Sequence, residues 1–226
     1  LVENGLARVL RIDPATGSST TIAASIPKAY AVARAPSGSV YVSGAHVLLR
    51  IDGAGTPVAV AETDANIGPI AVAPNGDLYF ATDTSVFELP RGAGPPIPVA
   101  TQLSAPHGLA VAADGAVFVS DTGHGRVARI DPVAGVITTV ALIGTPRGLD
   151  VATDGTVYVV DSIAKRVVHL SVTGAVLGFA GPAFPDPYDV AFAPDGALWL
   201  VDTAASGRVR RIARDGSVTT LSRRSG

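Results

Sequence analysis

Three short segments share one frame and carry a different large side chain at its second place: Pro106-His107-Gly108-Leu109, Pro146-Arg147-Gly148-Leu149 and Pro187-Tyr188-Asp189-Val190. Tyr30 and Gly68 fall at the matching place in Ala29-Tyr30-Ala31-Val32 and Ile67-Gly68-Pro69-Ile70. An imidazole, a guanidinium and two phenols can together bind an anion, hold a metal through the imidazole, or move a proton near neutral pH. His107, Arg147 and Tyr188 are therefore the candidate catalytic residues. The competing reading of His107 is a solvated or locally hydrogen-bonded histidine.

A second pattern is acidic-then-basic. Glu3/Arg8, Asp121/Arg126, Asp161/Arg166 and Asp202/Arg208 each place an Arg five or six residues after a carboxylate. Where Gly44 and Thr82 take the acidic place, the matching Arg is missing too. Joint loss is what a charge pair requires, because a lone partly buried charge is costly. These four are expected to be structural pairs bracing a turn, and a carboxylate ring for a metal is the other reading. There is no Cys, hence no thiolate chemistry and no disulfide framework. The sequence also lacks a Gly-rich phosphate loop, a GxSxG elbow and an HExxH pair.

The elements that position these residues repeat. Ser37-Gly38, Asn75-Gly76, Asp114-Gly115, Asp154-Gly155 and Asp195-Gly196 recur at spacings of 38, 39, 40 and 41 residues. Each sits between two short apolar runs, such as GLAVA before and VFVS after Asp114-Gly115, which is a strong hairpin signal. A third run (RVARID, 126–131) and a fourth rich in β-branched residues (ITTVA, 137–141) follow. Four meandering strands per unit make a propeller blade. The expected fold is all-β: a six-bladed β-propeller of four-stranded antiparallel blades forming one domain over 1–226. The blades are expected at about 1–27 (partial), 28–66, 67–105, 106–146, 147–186 and 187–226. The opening segment, with ARVLRID and STTIA, matches strands two to four only, so the first blade lacks its inner strand. The chain contains no Met, so residue 1 is no initiator. We expect about a dozen further residues, one strand and its turn, to precede Leu1, or an excised domain of a longer protein.

The segment PHGLAVAADGAVFVSDTGHGRVARIDPVAG (106–135) resembles an NHL repeat in its Pro-x-Gly start, Asp-Gly hairpin, Asp after strand two and Arg-Val opening strand three. The likeness extends, more weakly in places, over the whole chain. Six-bladed relatives of this repeat length include the gluconolactonase/senescence-marker, paraoxonase, strictosidine-synthase-like and peptidyl-hydroxyglycine lyase families and bacterial sensor propellers. The resemblance implies the fold and leaves lactonase, lyase and pure binding functions open. The lyase relatives hold zinc and substrate with His, Tyr and Arg at the channel mouth. A gluconolactonase-type site needs a Glu on an inner strand with Asn and Asp ligands around one divalent ion. The five inner strands offer Asp150 and Asp189 but no Glu, and Asp189 takes the place of a Gly, beside the channel position.

In that architecture the five variable residues begin the inner strands and ring one end of the channel, here called the top. His46 and His124 lie in turns at the same end, so Tyr30, His107, Arg147, Tyr188, His46 and His124 form the candidate ligand-binding set; His124 has a turn role as its alternative. His169, on a third strand, is expected to be structural. The favoured reading is a ligand- or protein-binding sensor module of bacterial type using the top face for a small-molecule or peptide partner. The alternative is a metal-dependent lactonase or a lyase, with a divalent cation (calcium or zinc) in the channel. A net charge of −2 gives no drive toward nucleic acid. The basic run Arg208, Arg210, Arg211, Arg214, Arg223 and Arg224 reads as a solvated edge. No apolar run is long enough for a membrane helix. A monomer is expected, and the compartment stays open, with an extracellular or periplasmic one favoured.

Overall fold

The computed structural model describes every residue except 93, 205–206 and 224–226, and only the backbone of Asn4, Gly92, Ser222 and Arg223. Six antiparallel sheets are arranged as propeller blades. The first has three strands, β1 (Val2–Glu3), β2 (Arg8–Ile12) and β3 (Ser19–Ala23). The second contains β4 (Val32–Arg34), β5 (Val40–Gly44), β6 (Val47–Ile51) and β7 (Pro57–Glu62). The third contains β8 (Ile70–Val72), β9 (Leu78–Ala81), β10 (Val86–Leu89) and β11 (Ile97–Ala100). The fourth contains β12 (Pro106–Val111), β13 (Val117–Asp121), β14 (Arg126–Asp131) and β15 (Val136–Leu142). The fifth contains β16 (Pro146–Val151), β17 (Val157–Asp161), β18 (Arg166–Leu170) and β19 (Val176–Ala180). The sixth contains β20 (Pro187–Phe192), β21 (Leu198–Asp202), β22 (Arg208–Ile212) and β23 (Val218–Arg223). The six-bladed propeller and its three-stranded first blade are as the repeat predicts.

The hairpin joining strands one and two is built the same way five times. Gly38, Gly76, Gly115, Gly155 and Gly196 all have φ between 82° and 93°, a left-handed conformation that glycine adopts without steric cost. The residue before each one locks the turn: Asp114, Asp154 and Asp195 each accept the amide two residues on at 3.0 Å. The Asp-Gly signal thus works as a side-chain brace followed by a left-handed residue.

The apolar core lies between blades. Five clusters each join two neighbouring blades, for example Val119, Val117 and Leu109 with Ala81 and Val86, and Leu200 and Val190 with Val160 and Val167. Strand two is covered on both faces, so all five residues of β13 are buried and hydrophobic alternation disappears. Small residues suit this: a Cβ on Gly108 would sit 2.6 Å from the Arg147 carbonyl oxygen, so adjacent inner strands meet there only through glycine. No described helix is long and apolar enough to cross a membrane.

Candidate functional site

The structure brings Tyr30, His107, Arg147 and Tyr188 to one cavity of about 640 Å³ along the propeller axis. It opens at the end where the inner strands begin, and it also extends sideways between first-blade Ile12 and Pro14 and last-blade Trp199 and Val209. A register shift interrupts β12, β16 and β20 directly after their first residue, at Pro106, Pro146 and Pro187. Such bulges re-aim side chains at a rim, and here they turn the variable residues into the channel.

Each residue is held from below by its neighbours. The Asp121 carboxylate accepts the Ser104 amide at 2.7 Å, fixing the loop that leads to β12. One residue on, the Ala105 carbonyl lies 3.1 Å from His107 Nδ1. A carbonyl can only accept, so Nδ1 is the donor in this contact, and in the neutral imidazole that tautomer leaves the lone pair on Nε2. In the second blade the Tyr30 amide donates to the Ser43 carbonyl at 2.8 Å. The fully buried Ser43 hydroxyl accepts the Ala31 amide at 3.1 Å and donates to the Gly68 carbonyl at 2.7 Å. Arg147 lies 5.1 Å from the centre of the Tyr188 ring, a cation–π approach, and 3.7 Å from Asp186. The Asp186 amide is in turn held by Asp202 at 3.1 Å.

The electrostatics follow from enclosure. Burial pushes the Tyr30 phenol well up, the neighbouring Tyr188 hydroxyl and the Asp189 charge add to this, and Arg147 offsets part. Tyr30 therefore stays protonated and acts as a hydrogen-bond donor. Asp189 is reached by solvent in the channel yet surrounded by protein, and this enclosure, reinforced by Asp150, raises its carboxyl to about 6. Asp150 is also raised by burial, against two amide bonds from Phe192 (2.7 Å) and Val151 (2.8 Å).

Several expectations need correction. Asp189 lines the channel cavity together with Gly108 and Gly148, its counterparts in the frame, beside Tyr188 at the channel position. Asp121 and Arg126 pair at 2.7 Å, and Glu3 pairs with Arg8. Asp202 pairs with Arg210 at 2.8 Å instead of Arg208. Asp161 and Arg166 face each other across the ladder without pairing: the Asp161 carboxylate takes the Ile163 and Ala164 amides at 3.1 Å, and Arg166 lies 4.8 Å from the Phe179 ring centre. His46 is exposed and lines neither cavity of the top face, although Ala45 beside it does. His124 also stays outside both cavities and contacts Asp121 at 2.8 Å through Nδ1, as its turn role predicts. His169 stacks on Tyr158 at 4.2 Å. Of the basic run, Arg210 and Arg211 are paired with Asp202 and Asp195, and Arg224 lies outside the described residues.

Among the described residues no three His, Asp or Glu side chains converge to hold a metal ion. Asp150 spends both oxygens on backbone amides, and the inner strands supply no Glu. The residues present do not fit a calcium or zinc cage of the gluconolactonase kind.

A model of the virginiamycin B lyase family matches residues 93–223, more than half of the chain. No curated protein sequence matches. Among solved structures, virginiamycin B lyase from Staphylococcus aureus is 17% identical with a TM-score of 0.73, over 96% of this chain and 78% of that one. A catalytically inactive histidine-to-alanine variant of that enzyme with quinupristin superposes over the same shares at 17% identity and a TM-score of 0.74. A gluconolactonase from Xanthomonas campestris is 18% identical with a TM-score of 0.77, over 88% and 77% of the two chains. At these identities the structural likeness establishes the fold alone.

Proposed function

The chain belongs to the virginiamycin B lyase family, and on that premise we propose that it is a propeller lyase working at the top of the central channel. The observation that carries this is the convergence of His107, Arg147, Tyr188 and Tyr30 on one cavity, with Nδ1 of His107 on the Ala105 carbonyl. This favours the enzyme alternative over a pure binding module. A lyase breaks its bond by elimination, which requires a proton acceptor, a group that steadies charge developing on a carbonyl oxygen, and a donor for the leaving atom.

The chain supplies each. Nε2 of His107 takes the proton from the carbon beside a carbonyl, and the electron pair moves toward the carbonyl oxygen. Arg147, only loosely tied to Asp186 at 3.7 Å, is available to that oxygen. The carbon–oxygen bond of an ester then breaks as the double bond forms, and a phenol of the Tyr30/Tyr188 pair donates to the departing oxygen. Substrates of the streptogramin B type follow from the family's named activity. Quinupristin is the first compound to test: the reading expects its conversion by the wild-type protein and a loss of roughly a hundredfold or more in His107→Ala, the scale of one acid–base group. Absence of conversion by the wild type, or full activity in His107→Ala, would overturn it.

A further inference from the structure

Four of the five mouth positions carry large side chains, and the fifth, Gly68 in the third blade, carries none. Neither conformation nor crowding requires this glycine. Its φ is outside the left-handed region, and an added Cβ would meet its nearest neighbours, the Ala81 and Pro106 carbonyl oxygens, at 3.6 and 3.8 Å. Gly108 and Gly148 differ in this respect, since a Cβ there would collide with the next inner strand. Gly68 lines a recess and contributes no side chain to it.

That space has two consequences. Tyr30 and His107 belong to blades on either side of the third, yet their rings meet edge to face at 6.4 Å across the vacant position. Behind the pair lies a second recess of about 360 Å³. Tyr30 and His107 line both this recess and the channel, so they form the partition between them. Buried Ile67, Pro106 and Thr82 line it, while the exposed Asn66, Lys28 and Asp83 complete it. A closed apolar cavity of roughly 150 Å³ is enough to hold benzene, so the recess has room for a substituted ring.

We propose that the Gly68 recess is a specificity subsite for a planar aromatic side group of the substrate, seated against Tyr30 and His107. It rests on the lyase reading for its catalytic meaning, but the recess binds the ring whether or not turnover occurs. A ring docked there brings the rest of the molecule to His107, on the partition, and so selects substrates that carry an aromatic group within reach of the scissile bond.

Phenylacetamide, an aromatic ring with a short amide, is the probe. Titrated into the wild-type protein and followed by NMR, it should perturb Ala45, Ile67 and Ala105. Gly68→Leu, which fills the recess, should weaken binding at least about tenfold, the low end of what a single methylene mismatch in an apolar pocket costs. Gly68→Ala, whose single methyl is accommodated, should fall between and covers the case in which Leu perturbs the fold. Unchanged binding in both variants, no wild-type binding, or perturbations confined to Asp150 and Asp189 would each overturn the subsite. Failure of quinupristin turnover with phenylacetamide binding intact would sink the lyase reading alone.

Discussion

Replacing Asp121 with alanine should destabilise the protein more than the same change at Asp161, although the two carboxylates occupy equivalent places in adjacent blades. Asp121 has no solvent exposure and serves three donors: the Ser104 amide and Arg126 Nε at 2.7 Å, and His124 Nδ1 at 2.8 Å. Removing one member of a buried pair costs about 3–5 kcal/mol. The Arg126 side chain is 23% exposed and His124 49%, so both partly rehydrate and the lower end applies. About 3 kcal/mol in a chain of this size corresponds to a fall in Tm of roughly 6–12 °C. Asp161 loses only two turn hydrogen bonds at 3.1 Å and no cation, worth about 1 kcal/mol or roughly 2–4 °C. Calorimetry of the two variants beside the wild type reads the difference directly. Equal shifts would refute the assignment of Asp121 as the braced carboxylate. The pH dependence has a definite sign. Burial alone would raise the Asp121 carboxyl, but the Ser104 amide, Arg126 and His124 outweigh it and hold the group below its ordinary value. Its contribution is present above the unfolded value near 3.9 and is lost as pH falls through the folded one. The gap between wild type and Asp121→Ala should therefore narrow as pH falls below about 4.

Two other outcomes are expected. Ser43→Ala strands the Ala31 amide and the Gly68 carbonyl in a buried site, costing about 1–3 kcal/mol; a denaturant midpoint equal to wild type would contradict that bracket. Asp189→Asn should stabilise the protein above pH 6, because a carboxyl raised to about 6 in the fold opposes folding increasingly as pH rises from its unfolded value to its folded one. Solvent in the channel limits the gain to about 1 kcal/mol, and urea titrations at pH 4.5 and 8 should show it at the higher pH only.

The blades were legible because their signals are local. An Asp or Asn before Gly fixes a turn through its own side chain, whatever the rest of the chain does. The mouth residues were legible by alignment alone, since position in the repeat determines position in the ring. The charge pairs were only half legible. Asp121, Asp161 and Asp202 each face the expected Arg across the ladder, but long-range competition decides the partner. Phe179 on the outer strand draws Arg166, and Arg210, two residues beyond Arg208, takes Asp202. The reach of the Asp189 carboxyl into the channel was not legible, because the glycines at its place in the two preceding blades, Gly108 and Gly148, carry no side chain to compare. The vacancy above Gly68 has no signal beyond the absence of a side chain, and its meaning depends on Tyr30 and His107 meeting across it.

The central claim, elimination at the channel mouth, is tested most directly by incubating quinupristin with the wild-type protein in water labelled with heavy oxygen and weighing the product. Elimination predicts product whose total mass equals that of the substrate, with no label. A product heavier by one labelled water would make the protein a hydrolase and contradict the account.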